Sequence, residues 1–479
     1  MISTFATSQS AAAAVPKSTD VVIVGAGLSG LAAAYELKKA GLKYHILELT
    51  PRVGGRVRTV KYDFPGEPAT FADSGMEEYW ESNPAVQVLK ELKLPTLHDV
   101  AISSLALGGK IYELGDEDQA QFYGRIFSKS ELEKLEGFKK EVAPMIEKMM
   151  NAWKKMPEEA MPADLLKLKD ISFADWVKKK SMPEKVAQWI RVSVECEIGT
   201  AWDRISALDG LAEFHIFAAN GGKGEEAYRV VAGNEKFVNT FADAIGRGNI
   251  SLNSRVQRVV SRKGKVSVFY VDQAIHKAGQ IDAAHVITTI PPFRAVIEMQ
   301  FDPPLSAKKL AAIQSQTWGS YFKAHIFLPL SAQKFWTRGK NSILPILSDS
   351  ELGVIYDGNR GQENAKTKII SLLITGDHAE RYNLMPMDVT RAQLTAKLDQ
   401  LWPGVSKEIK GMEFFRLHPR AIGAWPVGRS RFDEMSNELR RPEGGIHLAG
   451  DFTETSHSDG AFLSAKRAVR QILQARKTK

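Results

Sequence analysis

The chain has 479 residues, 44% of them hydrophobic and 25% charged, with 64 Lys and Arg against 56 Asp and Glu for a net charge of +8. That is ordinary globular composition, long enough for two domains. No apolar run approaches the ~20 residues that cross a bilayer. The lysines lie beside glutamates, with no basic cluster interleaved with aromatics, which argues against a nucleic-acid partner.

The single cysteine, Cys196, excludes an internal disulfide and a thiolate metal cluster. The ten histidines show no metal-ligand spacing, so no metal is expected. One cysteine fits a reducing compartment, and a cytoplasmic location is the expectation, with a mature exported protein as the alternative. Residues 1–19 lack the basic start and apolar core of a signal peptide and read as a flexible N-terminus.

Val21–Val24 reads as a buried strand, Leu28–Ala40 as a helix and Tyr44–Leu49 as a second strand. Strand, glycine turn, helix and strand within thirty residues make a βαβ unit and hence a parallel sheet. Most of 80–225 has helical character. There a capping box, Ser130 to Glu133, is predicted to open a helix whose Met-rich stripe is core. Short strands follow at Ile250–Leu252, Val256–Val260, Val266–Val271 and Ala284–Ile290. A strand-rich stretch from Tyr321 to Thr375 precedes a helix from Val389 to Leu401, and the chain closes with strand, polar loop and helix over 444–473.

Gly25, Gly27 and Gly30 form G-x-G-x-x-G at the βα turn. The first permits the tight turn, the second the approach of a pyrophosphate, and the third close packing of helix on strand. Glu48, eighteen residues past Gly30, is placed to accept from a ribose hydroxyl. "PRVGGRVRT" (51–59) then supplies a second close backbone approach and a guanidinium for a diphosphate. An NAD enzyme, which releases its cofactor, needs no second clamp. A new helix near Gly460, whose free N–H groups favour negative charge on a reduced flavin, grips the nucleotide from the other chain end. The pattern therefore favours FAD.

With these motifs in view, the sequence resembles the flavin-containing amine oxidases (monoamine, polyamine and L-amino acid oxidases) from Asp20 to about Gln474. The resemblance implies an α/β fold. A Rossmann-type FAD-binding domain would comprise 20–80, 228–303 and 418–479, and a discontinuous α+β substrate domain 81–227 and 304–417. It assigns Gly25, Gly27, Leu28, Ser29, Gly30, Glu48, Leu49, Gly54, Gly55 and Arg56 to FAD, and Val256 to the strand meeting adenine. Gly75, Met76 and Glu77 in "FADSGMEE" pass under the flavin, Gly450 and Asp451 match the "AG-acid" pair, and Gly460, Ala461 and Trp425 fall at flavin-facing positions. Lys323 in "TWGSYFKAHIFLP" matches the family lysine that holds a water at flavin N5.

The departures from the family are specific. Covalent members tether FAD to a cysteine near the C-terminus, and Cys196 is far from there, so FAD is expected to be non-covalent. One cage aromatic is replaced by Ala461, and the other falls near Ala421–Trp425, where Trp425 is the aromatic available to face substrate. Where L-amino acid oxidases carry an arginine for the substrate carboxylate, this chain has Glu78 beside Glu77. An acid there repels a carboxylate and attracts a cation.

The implied function is FAD-dependent oxidation of an amine, polyamine- or lysine-like, to an imine, with O2 giving hydrogen peroxide. Partners are then the amine and O2, with a homodimer left open. The alternatives are an L-amino acid oxidase, a flavin desaturase or oxidase acting on C–C bonds of an isoprenoid or tetrapyrrole, and a non-catalytic flavoprotein subunit.

Overall fold

The computed structural model describes residues 15–100, 104–114, 119–156, 160–222 and 226–477. Most of the expected flexible N-terminus, 1–14, lies outside the described residues.

The N-terminal apolar run pairs as a central parallel strand. Val21–Val24 lies between Tyr44–Leu47 and His285–Thr288, with Ile250–Ser251 and Ile446–Leu448 at the two edges. Each of the three inner strands is buried or nearly so, as continuous Val/Ile/Leu runs in a parallel sheet require. The helix Leu28–Lys39 crosses one face of this sheet and packs against the last helix, Ser458–Lys477. One sheet is thus built from chain segments hundreds of residues apart. A second layer, strands Ser254–Arg262, Lys265–Asp272 and Lys277–Ala283 with Gln300–Asp302, forms an antiparallel meander closed by one parallel strand. Strand Lys277–Ala283 and the hairpin Ser104–Leu107 with Lys110–Glu113 were not expected from the sequence.

The other half is a seven-stranded sheet in which the long strand Thr317–Pro329, second from one edge, pairs with Thr367–Thr375 and with the edge strand Gly411–Ala424. Helix Glu184–Ile198, from the helical stretch 119–222, packs against it. The longest helix of that stretch, Lys129–Trp153, starts two residues earlier than predicted: its capping box is Ser128 with Glu131, not Ser130 with Glu133. "SKSELE" holds both registers of S-x-x-E. Phe127 and Leu132, on either side of Ser128, join one apolar cluster as a hydrophobic staple, and packing selects the first register.

Candidate active site

The nucleotide cradle is made by backbone approach. Gly25 has φ +103°, and a Cβ on Gly30 would lie 1.9 Å from the Gly25 carbonyl oxygen, so helix and strand meet only because Gly30 is bare. Gly27 and Gly54 form an isolated parallel bridge, and a Cβ on Gly55 would reach the Gly27 Cα at 3.3 Å. Gly27 caps the first helix with no side-chain hydrogen bond, and no acid stands in the first turn, where Leu28, Ser29 and Gly30 are buried. Uncapped N–H groups at a glycine-lined helix start suit a diphosphate. Glu48 ends the second strand with one oxygen on the Ala26 amide (2.7 Å) and the other held by Thr50. Leu49 is exposed, whereas Val256 is buried in its strand.

Both chain ends close on this cradle. Arg56 makes two charge-assisted hydrogen bonds to Asp451 (2.7 and 2.6 Å) and a third to the Ala421 carbonyl. Arg56 keeps 43% of its side-chain surface open while both its hydrogen-bonding nitrogens are engaged. The Gly450 amide donates to Ser464, whose hydroxyl also meets Ser29, tying the last helix to the first. Gly460 and Ala461 are buried at the start of that last helix. The His418 Nε2 is buried without a hydrogen-bond partner. Burial and the cations Arg56 and Lys323 hold His418 neutral, down at about 4. Uncapped amides, a bare glycine crossing and an orphaned ring nitrogen fit FAD.

Lys323 is 1% exposed. Its ammonium donates to the carbonyls of Asp73 (2.8 Å) and Gly75 (3.1 Å) and to the Glu77 carboxylate. Gly75 is required here, since a Cβ would lie 1.9 Å from the Arg56 carbonyl oxygen. Glu77 also accepts from Ser371 (2.8 Å) and lies 3.6 Å from Arg229. Burial opposes its charge, but Lys323 and Arg229 outweigh burial and hold it below the usual range. Asp73 receives less help: burial and the Glu77 charge push it up to about 7.

Two sequence expectations are corrected. Glu77 is no carboxylate offered to a substrate cation, because Lys323 and Arg229 neutralise it and Ser371 takes a lone pair. Glu78 accepts from Tyr356 (3.3 Å) and lies 4.0 Å from Arg229, so the two acids face two cations. Trp425 is 0% exposed, donates Nε1–H to Ser436 (3.2 Å) and has the Arg431 guanidinium 4.6 Å from its ring. It is a core residue, not a wall facing substrate.

Arg229, Tyr356, His418, Glu197, Glu213 and His457 escaped the sequence reading. None belongs to a local motif, and each becomes meaningful only through partners more than 90 residues away. Cys196, distant in sequence from the C-terminal segment, stands beside Glu197. Burial and Glu197 push its thiol well up, which keeps it un-ionised and unreactive.

This combination of cradle, clasp and buried lysine defines a flavin-dependent oxidoreductase. Residues 28–473 match the flavin containing amine oxidoreductase family, and the chain belongs to it. It is 26% identical to an L-amino-acid oxidase of Vipera ammodytes ammodytes over 95% of this chain and 93% of that protein. It is 22% identical to a probable flavin-containing monoamine oxidase A of Dictyostelium discoideum over 95% and 97%. A putrescine oxidase structure with bound putrescine superposes with TM-score 0.76 at 20% identity, covering 95% of this chain and 99% of that one. The protein is an FAD-dependent amine oxidoreductase with the mixed α/β fold of this family.

Proposed function

We propose that the protein oxidises the C–N bond of an amine lacking a carboxylate next to the reacting carbon, with non-covalently held FAD and O2 as oxidants. The observation that carries this reading is the buried Lys323, fixed to Asp73, Gly75 and Glu77 on the segment that leads to the Arg56–Asp451 clasp. Bound FAD supplies the hydride acceptor, and O2 reoxidises it to give hydrogen peroxide. Arg56, Gly27 and Gly55 would hold the diphosphate end. The segment 73–77, stiffened by Lys323, would support the flavin end. His418, held neutral, adds polarity without charge. The amine becomes an imine, which hydrolyses to aldehyde or ketone plus ammonia or amine.

Glu78 stands where the relatives' type of carboxylate-binding arginine would be, which disfavours an amino acid. Arg229, beside it, supports the second reading, an L-amino acid substrate held by a guanidinium from a different strand. Peroxide release on a panel of monoamines, diamines and L-amino acids decides. Faster turnover of amines than of L-amino acids is expected, and the reverse order would reject the first reading. Acid precipitation should release all flavin as free FAD, and flavin left on the polypeptide would reject the non-covalent assignment.

A remote cationic tail on the substrate, as in a diamine or lysine-like amine, would compete with Arg229 for Glu78. Glu78→Gln should raise KM for a diamine by about threefold with little change in kcat, as lost uniform binding does. An unchanged KM removes Glu78 from substrate binding.

A further inference from the structure

A second group of buried charges lies apart from Lys323. Glu213 on the helix Ala207–Gly222 takes the Arg431 guanidinium with one oxygen and His457 Nε2 with the other, at 2.7 Å. Asp209, one turn earlier, binds the Arg431 amide and Nε at 3.1 and 2.8 Å. Glu197, next to last in the helix Glu184–Ile198, lies 3.8 Å from the same His457 nitrogen. Asp209 and Glu213 thus pair with Arg431 and His457, and Glu197 is the acid left over. Asp209 and Glu213 are sealed at 0% and 1% exposure, while the side chains of Glu197 and His457 keep 14% and 21%.

This group lies beside the strand that carries Lys323. Tyr321 donates to the Glu197 carbonyl (2.7 Å) and precedes Lys323 by two residues. Their regular pairing with Thr375 and Leu373 puts both on one face of the strand. Tyr356, which donates to Glu78, is pushed up by burial, by Glu78 and Glu77, and also by Glu197, so its hydroxyl feels both charge groups.

We propose that Glu197 takes the proton a substrate ammonium must lose before its α C–H bond breaks, with His457 and Glu213 as positioning residues. One ammonium N–H bond breaks and one carboxyl O–H bond forms. The electron pair stays on nitrogen, and the neutral amine then loses hydride to the cofactor. The proton leaves later to solvent.

The groups facing Glu197 set this role. From its own helix come the un-ionised Cys196 thiol and, one residue before it, Glu195. From the neighbouring elements come Glu213, His457, Tyr321 and Tyr356, with Arg56 beyond Tyr321 and Asp459 beside His457. Burial raises Glu197, His457 pulls it down and Glu213 raises it again, leaving it above an ordinary carboxylate and nearer the pH at which a base works best. Burial opposes the His457 charge, but Glu213, Glu197 and Asp459 outweigh it and hold the ring protonated up to about 9. The histidine therefore stays a fixed counter-charge, and the exchangeable proton falls to Glu197.

The proposal rests on the amine-oxidising reading, and one experiment separates the two. FAD-loaded full-length protein is mixed without oxygen with the fastest amine of the panel, and flavin bleaching is followed from pH 6 to 10. If no amine bleaches wild type at any pH, the amine reading itself fails. If wild type is reduced, Glu197→Gln should slow reduction about 100-fold at neutral pH, with the visible spectrum of bound FAD unchanged. The deficit should shrink about tenfold per pH unit toward the amine's own pKa, because the free base then arrives already deprotonated. A deficit equal at every pH, or no deficit, overturns the proposal. His457→Gln, which keeps Glu197 but removes the charge pulling it down, should move the acid limb of the wild-type profile to higher pH. An unmoved limb also overturns it.

Discussion

The nucleotide cradle and the substrate side are built by opposite means. The cradle is local: five glycines and one acid within 31 residues bring backbone to backbone, and side chains matter there chiefly by being absent. The substrate side is a set of buried ion pairs gathered from six separated stretches, around residues 77, 197, 213, 229, 323 and 457. Steric fit fails abruptly, whereas a charge network fails by degrees and can be repaired by removing the partner as well.

The largest expected effect therefore belongs to the cradle. Gly30→Ala places a methyl 1.9 Å from a backbone carbonyl oxygen that cannot move without shifting the helix off its strand. The variant should purify without flavin and lose about 3 kcal/mol or more of stability. Flavin absorbance per protein checks the first part and denaturant unfolding the second.

On the charged side, Lys323→Met leaves Glu77 buried with Arg229 at 3.6 Å as its remaining cation. The single variant should lose ~3–5 kcal/mol. Lys323→Met with Glu77→Gln should recover a good part of this, while flavin reduction stays slow. Additive losses in the double-mutant cycle would show that the pair is not coupled.

The most gradual effect concerns His457. Its folded-state pKa is raised from 6.5 to about 9, so its contribution is fully present below pH 6.5 and is lost as pH rises through 9. Stability should fall by roughly 3 kcal/mol across that window, and His457→Gln should flatten the fall. Urea unfolding at pH 6, 7.5 and 9 measures both slopes.

The same contrast explains what could be read in advance. Gly25, Gly27, Gly30 and Glu48 declare themselves because strand, turn and helix are contiguous and each residue has a fixed mechanical task. Lys323 stands out as one charge in an apolar strand. Glu77 and Trp425 were misread because sequence shows residue type but not partner: nothing near Glu77 announces Arg229, and nothing near Trp425 announces Ser436 and Arg431. The capping box slipped by two residues because both registers satisfy the local rule and distant packing chooses.

The bond between Arg56 and Asp451 spans 395 residues of sequence, and the edge strand Ile446–Leu448 joins the sheet from the same late segment. During synthesis the first βα unit emerges long before its clasp exists. A nascent chain can shape the glycine turn early but cannot grip a dinucleotide until Asp451 and the last helix have left the ribosome. A clasp that needs Asp451 makes cofactor loading wait for the strand Ile446–Leu448 and the residues just after it.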